Sequence, residues 1–210
     1  MTVQLSLTQF LHFKAIISTK AKMNYLKKEV KYNEYAFYSD YWMGLRQKIH
    51  KFSQGKITLD DLNQYALTVP DKNNKRKNYI RDARNFSQFV KKYQPTFFEV
   101  GKSSWNYHDK LIISASPELG VITNSGDKYL IKNFYTKKKD NEKLMKKNIL
   151  PMLTMMNIAN KDFNTHEAIP AVLNLQNGKL ISFDEDKKPV LDPTELTIDA
   201  ENILTIWNLI

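Results

Sequence analysis

The sequence contains no cysteine, and its six glycines never cluster. The first absence excludes disulfide scaffolds, cysteine nucleophiles and zinc sites built on thiolates. The second leaves no glycine-rich loop that could cradle the phosphates of a nucleotide. The four histidines, His12, His50, His108 and His166, lack the i, i+4 spacing of a helical zinc site, so we interpret each as a surface or packing residue.

Long hydrophobic runs are also absent. No stretch approaches the roughly 18 apolar residues of a membrane span, and the amino terminus lacks the features of a secretory signal. We therefore expect a cytoplasmic protein without a membrane partner. With 210 residues, 42% of them hydrophobic, the chain can bury a substantial core.

Acidic residues are in deficit, since 32 Lys and Arg against 22 Asp and Glu give a formal net charge of +10. This balance is typical of proteins that bind nucleic acid or an anionic membrane surface. We expect nucleic acid, with DNA ahead of RNA. A soluble protein that is merely basic is the alternative.

Residues 1–73 are predicted to form a helical N-terminal lobe. Capping residues before periodic apolar positions predict three helices, which begin at Ser6 or Thr8, at Ser39 or Asp40, and at Thr58. The stretch 19–38 is rich in Lys and Tyr and gives no clear periodicity. The remainder, residues 74–210, is predicted to form an α/β core that packs with this lobe as one compact unit.

A helix from Asn74 to about Tyr93 has two distinct faces. Its apolar side is marked by Tyr79, Ala83, Phe86, Val90 and Tyr93. The cations of the other side are Lys77, Arg81, Arg84, Lys91 and Lys92. Such a row is either a solvated face or a surface that contacts phosphates.

Three short apolar runs between Lys110 and Tyr135 predict three strands, because turn residues separate them. Glu118 opens the second strand and Lys132 lies inside the third. A lysine in an apolar strand is costly to bury without a partner. The two residues are therefore candidates for a functional or structural pair.

A helix, a hairpin and a last helix follow these strands. The first helix carries a methionine stripe that we assign to the core, and lysines that could contact nucleic acid, namely Lys137, Lys138, Lys139, Lys143 and Lys147. Asn177-Gly178 predicts a tight hairpin turn. Pro193 is predicted to begin the C-terminal helix.

From residue 74 the order of elements is helix, three strands, helix, strand, and it resembles the PD-(D/E)XK, or restriction-endonuclease-like, nuclease family. Pro117-Glu118 corresponds to the first acid of that family, and Lys132 to its lysine. The resemblance covers about 110 residues and implies a fold with an αβββαβ core, preceded here by the helical lobe and followed by a C-terminal helix. Two positions before Lys132, where the family has a second acid, this chain has Leu130.

The resemblance implies chemistry with Mg²⁺, which needs at least two carboxylates, and Glu118 would be one ligand. A displaced second acid could come from Glu142, Asp82 or Asp109. Without one, no cofactor is expected. Glu118 and Lys132 are then either a degenerate remnant on a binding fold or a structural pair.

Three functions follow from these observations. The leading hypothesis is a nucleic-acid-binding protein on a nuclease-like fold that has lost catalysis. The alternatives are an active Mg²⁺-dependent DNA nuclease with a displaced acid, and a protein-interaction factor of a mobile-element or defence locus that binds an acidic protein.

Overall fold

The structure is a computed structural model that describes residues 2–32, 40–135, 146–182 and 193–210. Within these ranges, α-helices combine with two mixed β-sheets. The predicted α/β class is therefore confirmed. None of the described helices has the length and apolar character needed to cross a membrane.

Helices dominate the first 93 residues. They are α1 (Leu7–Ala15), α2 (Thr19–Tyr25), a π-helix (Leu26–Lys31), α3 (Met43–Ser53), α4 (Leu59–Thr68) and α5 (Lys75–Tyr93). Ser6 and Thr58 begin α1 and α4 with capping boxes, in which each cap oxygen accepts a backbone N–H and the third helical residue accepts one in return. The helix starts predicted at these two residues are confirmed.

The strands and the last two helices complete the described chain. The strands are β1 (Val3–Ser6), β2 (Thr96–Phe98), β3 (Ser103–Tyr107), β4 (Leu111–Ser114), β5 (Leu119–Ile122), β6 (Lys128–Phe134), β7 (Asn160–Lys161), β8 (Ile169–Asn174) and β9 (Lys179–Ser182). The helices are α6 (Lys146–Ile158) and α7 (Pro193–Leu209). The hairpin predicted at Asn177-Gly178 joins β8 to β9, and Gly178 takes a φ of 71° there.

A five-stranded sheet with the order β2-β5-β6-β8-β9 forms the centre of the fold. All neighbours are antiparallel except β6 and β8, which are parallel. Because parallel strands need a long crossover, α6 lies in the connection between them. The elements α5, β2, β5, β6, α6 and β8 follow as helix, three strands, helix and strand, but β3 and β4 interrupt the predicted order before β5, and β7 interrupts it before β8.

The first strand of this sheet is not the predicted one. The sequence favours Leu111–Ser114, but the structure places that segment, β4, in a second sheet with the order β1-β4-β3-β7. The reason is that β3 and β4 form a hairpin of their own, which also pairs in parallel with β1. The short segment β2 takes the vacant place beside β5, where Phe98 lies against Gly120.

Two hydrophobic clusters cover the two faces of the five-stranded sheet. Successive residues of a strand point to opposite faces, so Ile131 and Leu173 enter the cluster that α3, α4 and α5 cover. Leu130 and Val172 enter the other cluster, with α1, α6, α7 and the four-stranded sheet. Residues of the predicted N-terminal lobe contribute to both clusters, and the boundary at residue 73 stays a prediction.

Candidate functional site

Glu118 and Lys132 lie side by side at the beginning of β5. The antiparallel register pairs Leu119 with Ile131, and the Glu118 N–H donates to the Ile131 carbonyl at 2.7 Å. Lys132 Nζ is 3.3 Å from Glu118 Oε1 and donates to the Ser116 carbonyl at 3.2 Å. The Lys132 and Glu118 side chains are 23% and 14% exposed, so the pair is largely shielded from water. The structure therefore brings together the two residues that the sequence singled out.

Two further residues, which the sequence analysis missed, complete the shell around Glu118. Asn133 Nδ2 and the Tyr135 hydroxyl each donate to Glu118 Oε2 at 3.0 Å. Both carboxylate oxygens are thus engaged by protein donors. Their nearness to Lys132 in the sequence was the signal that could have indicated them, because Asn133 is the next residue and Tyr135 follows two positions later. The Asn133 side chain is buried, and its Oδ1 has no hydrogen-bond partner among the residues that the structure describes.

Arg46 brings a second cation to this site from α3. Its Nη1 is 2.8 Å from Asp40 Oδ2, and its guanidinium carbon is 5.6 Å from the centre of the Tyr135 ring. Burial acts to lower the pKa of Arg46, but the charges of Glu118 and Asp40 outweigh it and the pKa is raised. Glu118 therefore lies in the field of both Lys132 and Arg46.

Tyr135 remains a neutral donor at this site. Burial of its hydroxyl raises the pKa of Tyr135 well above its ordinary value, and the negative charge of Glu118 raises it further. The ring is held in place because Trp42 stacks on both Tyr135 and Tyr79, at centroid distances of 5.4 and 5.6 Å. This stack ties the start of α3 to α5 and to the end of β6.

A cleft of about 310 Å³ opens beside Glu118. It lies between α3 and the start of β5, and its lining is formed by Arg46, Gln47, Ile49, His50, Val100, Pro117 and Glu118. The lining contains one carboxylate and one permanent cation. The cleft therefore offers no concentration of negative charge that would attract a metal ion.

The candidate second acids do not join Glu118 in the described part of the chain. Asp109 lies in the turn between β3 and β4, in the other sheet, and accepts a hydrogen bond from Asn106. Asp82 is buried on α5 and pairs with Arg81 at 2.7 Å. Glu142 lies outside the described residues. Leu130 is 1% exposed and belongs to the core.

The described residues consequently do not fit a magnesium ion at Glu118. Mg²⁺ prefers hard oxygen ligands in a near-octahedral shell. Among the residues that the structure describes, no group of three His, Cys, Asp or Glu side chains could hold a metal. The Lys132 ammonium and the Asn133 and Tyr135 donors already neutralise and fill the one carboxylate that is present.

The predicted cations of α5 lie on its solvent side. Lys77, Arg84, Lys91 and Lys92 are exposed, while Arg81 is half-buried against Asp82. Lys77, Arg84 and Lys91 form no ion pair with any residue in the described ranges. Of the second predicted group, Lys137, Lys138, Lys139 and Lys143 lie outside the described residues, and Lys147 is placed in α6 by its backbone alone.

Comparisons of the chain with family models, curated proteins and solved structures found no match. The likeness to the PD-(D/E)XK nucleases therefore depends on the order of the elements and on Glu118 and Lys132. It stays a prediction.

The first prediction concerns the Glu118–Lys132 pair as a structural contact. Lys132→Met should lower the free energy of unfolding by about 1–3 kcal/mol, because it leaves a largely buried carboxylate with one charged partner fewer. Adding Glu118→Gln should recover part of that loss, since no charge is then left unpaired. Urea unfolding of the two variants measures both effects.

Lys128→Met is the matched control, because Lys128 begins the same strand and has no ion pair among the described residues. It should change the free energy of unfolding by less than about 0.5 kcal/mol. Equal effects of the two lysine substitutions would contradict a structural role for Lys132.

The second prediction concerns the buried acid of α5. Burial raises the pKa of Asp82 from 3.8 to about 7, although Arg81 opposes the shift. The folded protein therefore holds a proton that the unfolded chain releases above about pH 4. The contribution of the protonated Asp82 to the free energy of unfolding is fully present below about pH 4. It is lost as the pH rises to about 7, by up to roughly 1.4 kcal/mol per pH unit.

Asp82→Asn removes the titration, so the stability of the variant relative to the wild type should increase between pH 4 and pH 7 and then level off. Urea unfolding across this range measures the difference. Asp60→Asn, on the exposed side of α4, is the control and should show no such trend. A flat difference for Asp82→Asn would contradict the prediction.

Proposed function

We propose that the chain is a nucleic-acid-binding protein whose core is related to the PD-(D/E)XK nucleases and which does not cleave phosphodiesters. The observation that carries this proposal is the exposed row of cations on α5, formed by Lys77, Arg84, Lys91 and Lys92 and called here the α5 row. Phosphate groups are the ligands that such a row attracts, and they supply most of the affinity in non-specific nucleic-acid binding.

The dimensions of the α5 row suit a duplex. Lys77 and Lys91 are fourteen residues apart on one continuous helix, which corresponds to about 21 Å at 1.5 Å per residue. That length covers about six base pairs at 3.4 Å each. The row can therefore contact several phosphates of one strand at the same time.

Helix stability does not account for the charge of α5. Cations are favourable near the C-terminus of a helix and unfavourable near its N-terminus, because of the helix dipole. Lys75, Arg76 and Lys77 nevertheless occupy the first turn, which contains no acidic residue. Lys91 and Lys92, in the last turn, do complement the dipole. Arg76 Nε donates to the Val69 carbonyl and Lys75 lies over the Tyr41 and Tyr79 rings, so Lys77 is the cation of the first turn that a polyanionic partner explains best.

The shell of Glu118 supports binding without catalysis. An ammonium and a guanidinium supply the positive charge that a metal ion would supply in an active nuclease. Within the described ranges, Glu118 belongs to no group of three His, Cys, Asp or Glu side chains that could hold a metal ion. The pair is thus suited to hold β5 against β6 rather than to activate water.

The third prediction tests the α5 row. The wild type should bind a short DNA duplex at low salt, and the affinity should fall steeply between about 50 and 200 mM salt. The triple variant Lys77→Ala, Arg84→Ala, Lys91→Ala should bind more weakly, and the slope of log affinity against log salt should decrease by about 2.7, or 0.9 per lost phosphate contact. Fluorescence anisotropy measures both quantities.

The control for this variant removes the same charge elsewhere. Lys51→Ala, Lys56→Ala and Lys102→Ala together replace three exposed lysines outside α5 that have no ion pair in the described part of the chain. We expect a smaller change of slope for this control. If the wild type does not bind at low salt, or if the two triple variants behave alike, the proposal is wrong.

The fourth prediction concerns catalysis. Plasmid and single-stranded DNA incubated with Mg²⁺ or Mn²⁺ should remain intact with the wild type, with Glu118→Gln and with Lys132→Ala. The physical reason is that Asn133 and Tyr135 already donate hydrogen bonds to the Glu118 carboxylate, which leaves it poorly suited to bind a metal ion. Cleavage by the wild type that both substitutions abolish would instead establish an active nuclease with a displaced acid.

A further inference from the structure

A second cationic surface lies on α2 and the π-helix, far along the sequence from α5. Five lysines and one acid, Glu29, occupy residues 20–31; the lysines are Lys20, Lys22, Lys27, Lys28 and Lys31. Lys20, Lys27 and Lys28 are exposed. None of the five lysines forms an ion pair within the ranges that the structure describes. This charge is therefore available to an external partner.

Two aromatic rings lie against the last of these lysines. Lys31 Nζ is 5.4 Å from the centre of the Trp207 ring, on α7, and 5.9 Å from that of Tyr32. Tyr32 is 58% exposed, and Trp207 is partly exposed. An ammonium within about 6 Å of two ring centres forms a mixed cationic and aromatic surface. We call Lys27, Lys28, Lys31, Tyr32 and Trp207 the lysine–aromatic surface.

The backbone beneath this surface is unusual. Residues Leu26–Lys31 form a π-helix, and the Tyr32 N–H donates to the Lys27 carbonyl at 3.0 Å, five residues back. Such turns are rare and occur frequently at functional sites. The wider turn brings Lys27 and Tyr32 onto neighbouring turns near one side of the helix.

The π-helix is anchored on its inner side. Leu26 is fully buried in the cluster that includes α1 and α7, and Gln9 Nε2 donates to the Glu29 carbonyl at 3.1 Å. The lysines on its outer side are therefore presented by a fixed backbone. A solvated charge run needs no such fixation, whereas a binding surface benefits from it, because less freedom is lost on binding.

Single-stranded nucleic acid is the partner that this chemistry fits. Its unpaired bases can stack on exposed aromatic rings while lysines neutralise the adjacent phosphates. The bases of a duplex are already stacked on one another and are closed to such contacts. A membrane surface would share the electrostatic attraction, but it would not require two flat rings close to one lysine.

We propose that the lysine–aromatic surface is a second contact site, which binds single-stranded nucleic acid by stacking bases on Tyr32 and Trp207 beside Lys27, Lys28 and Lys31. The inference deepens the proposed function and rests on it. The helix α5, which carries the α5 row, packs into the hydrophobic cluster that includes α3 and α4. The π-helix and α7, which carry the lysine–aromatic surface, pack into the cluster that includes α1. The two sites thus belong to different layers of the protein, and variants can separate them.

The fifth prediction uses fluorescence anisotropy with labelled oligo-dT and with a labelled duplex. Tyr32→Ala should weaken oligo-dT binding by at least about fivefold, since stacking on one ring contributes about 1 kcal/mol or more per base. Tyr32→Phe keeps the ring and should bind within about twofold of the wild type. Duplex affinity should be unchanged in both variants. Because Tyr32 is exposed, neither substitution disturbs the core.

The lysines are tested in the same assay. The double variant Lys27→Ala, Lys28→Ala should reduce the salt slope for oligo-dT by about 1.4, or 0.7 per phosphate on a single strand. The control Lys102→Ala, Lys110→Ala removes two exposed lysines from the β3–β4 hairpin region and should leave the slope nearer to that of the wild type.

The outcomes separate this inference from the proposed function. If Tyr32→Ala and the Lys27, Lys28 variant bind oligo-dT like the wild type while the α5 variant loses duplex binding, the second site is refuted and the proposed function stands. If the wild type binds neither probe, both fail. If the lysine variant loses binding to phosphatidylserine vesicles but keeps its oligo-dT affinity, the surface is a membrane contact and the inference is overturned.

Discussion

The antiparallel pairing of β5 with β6 is the constraint on which the candidate site depends. It sets Leu119 opposite Ile131 and so places Glu118 beside Lys132. A carboxylate and an ammonium in this partly buried position need each other, because either alone would carry an uncompensated charge. Asn133 lies on the same strand as Lys132, and Tyr135 directly follows that strand. The pairing of β5 with β6 thus positions three of the four groups around the carboxylate, namely Lys132, Asn133 and Tyr135. The fourth, Arg46, arrives from α3 and joins the helical layer to the sheet.

The surroundings of Glu118 differ from those that hydrolysis with a metal ion requires. The elements of the five-stranded sheet follow in the expected order only when β3, β4 and β7, which belong to the other sheet, are set aside. The carboxylate at the start of β5 is nevertheless surrounded by donors and cations. A site of this kind stabilises strand pairing, and the charge available for a polyanion lies elsewhere, on the outer side of α5 and on the π-helix. The proposed binding surfaces and the Glu118 site therefore consist of different residues.

The sequence was informative where a pattern is local and less so where pairing is long-range. Ser6, Thr58 and Asn177-Gly178 marked helix starts and a turn correctly because capping and tight turns involve only neighbouring residues. The assignment of Leu111–Ser114 to the central sheet was wrong, since strand periodicity gives no information about which sheet a strand joins. Arg46 was missed because its contact with the site depends on how α3 docks. Within the stretch 19–38, which had no clear period, Leu26–Lys31 forms a π-helix that follows neither the α-helical nor the strand repeat, although Thr19–Tyr25 is an α-helix that we did not predict.

The parallel pair of β1 and β4 has a consequence for the order of assembly. Val3 pairs with Leu111, so 108 residues separate the partners along the chain. Closing so long a loop costs entropy that the contact repays only after both segments exist and the β3–β4 hairpin has formed. During synthesis the segment Val3–Ser6 leaves the ribosome long before its partner. Val3 and Leu5 therefore stay unpaired until β4 has been synthesised. The docking of β1 on β4 is then a late step in folding.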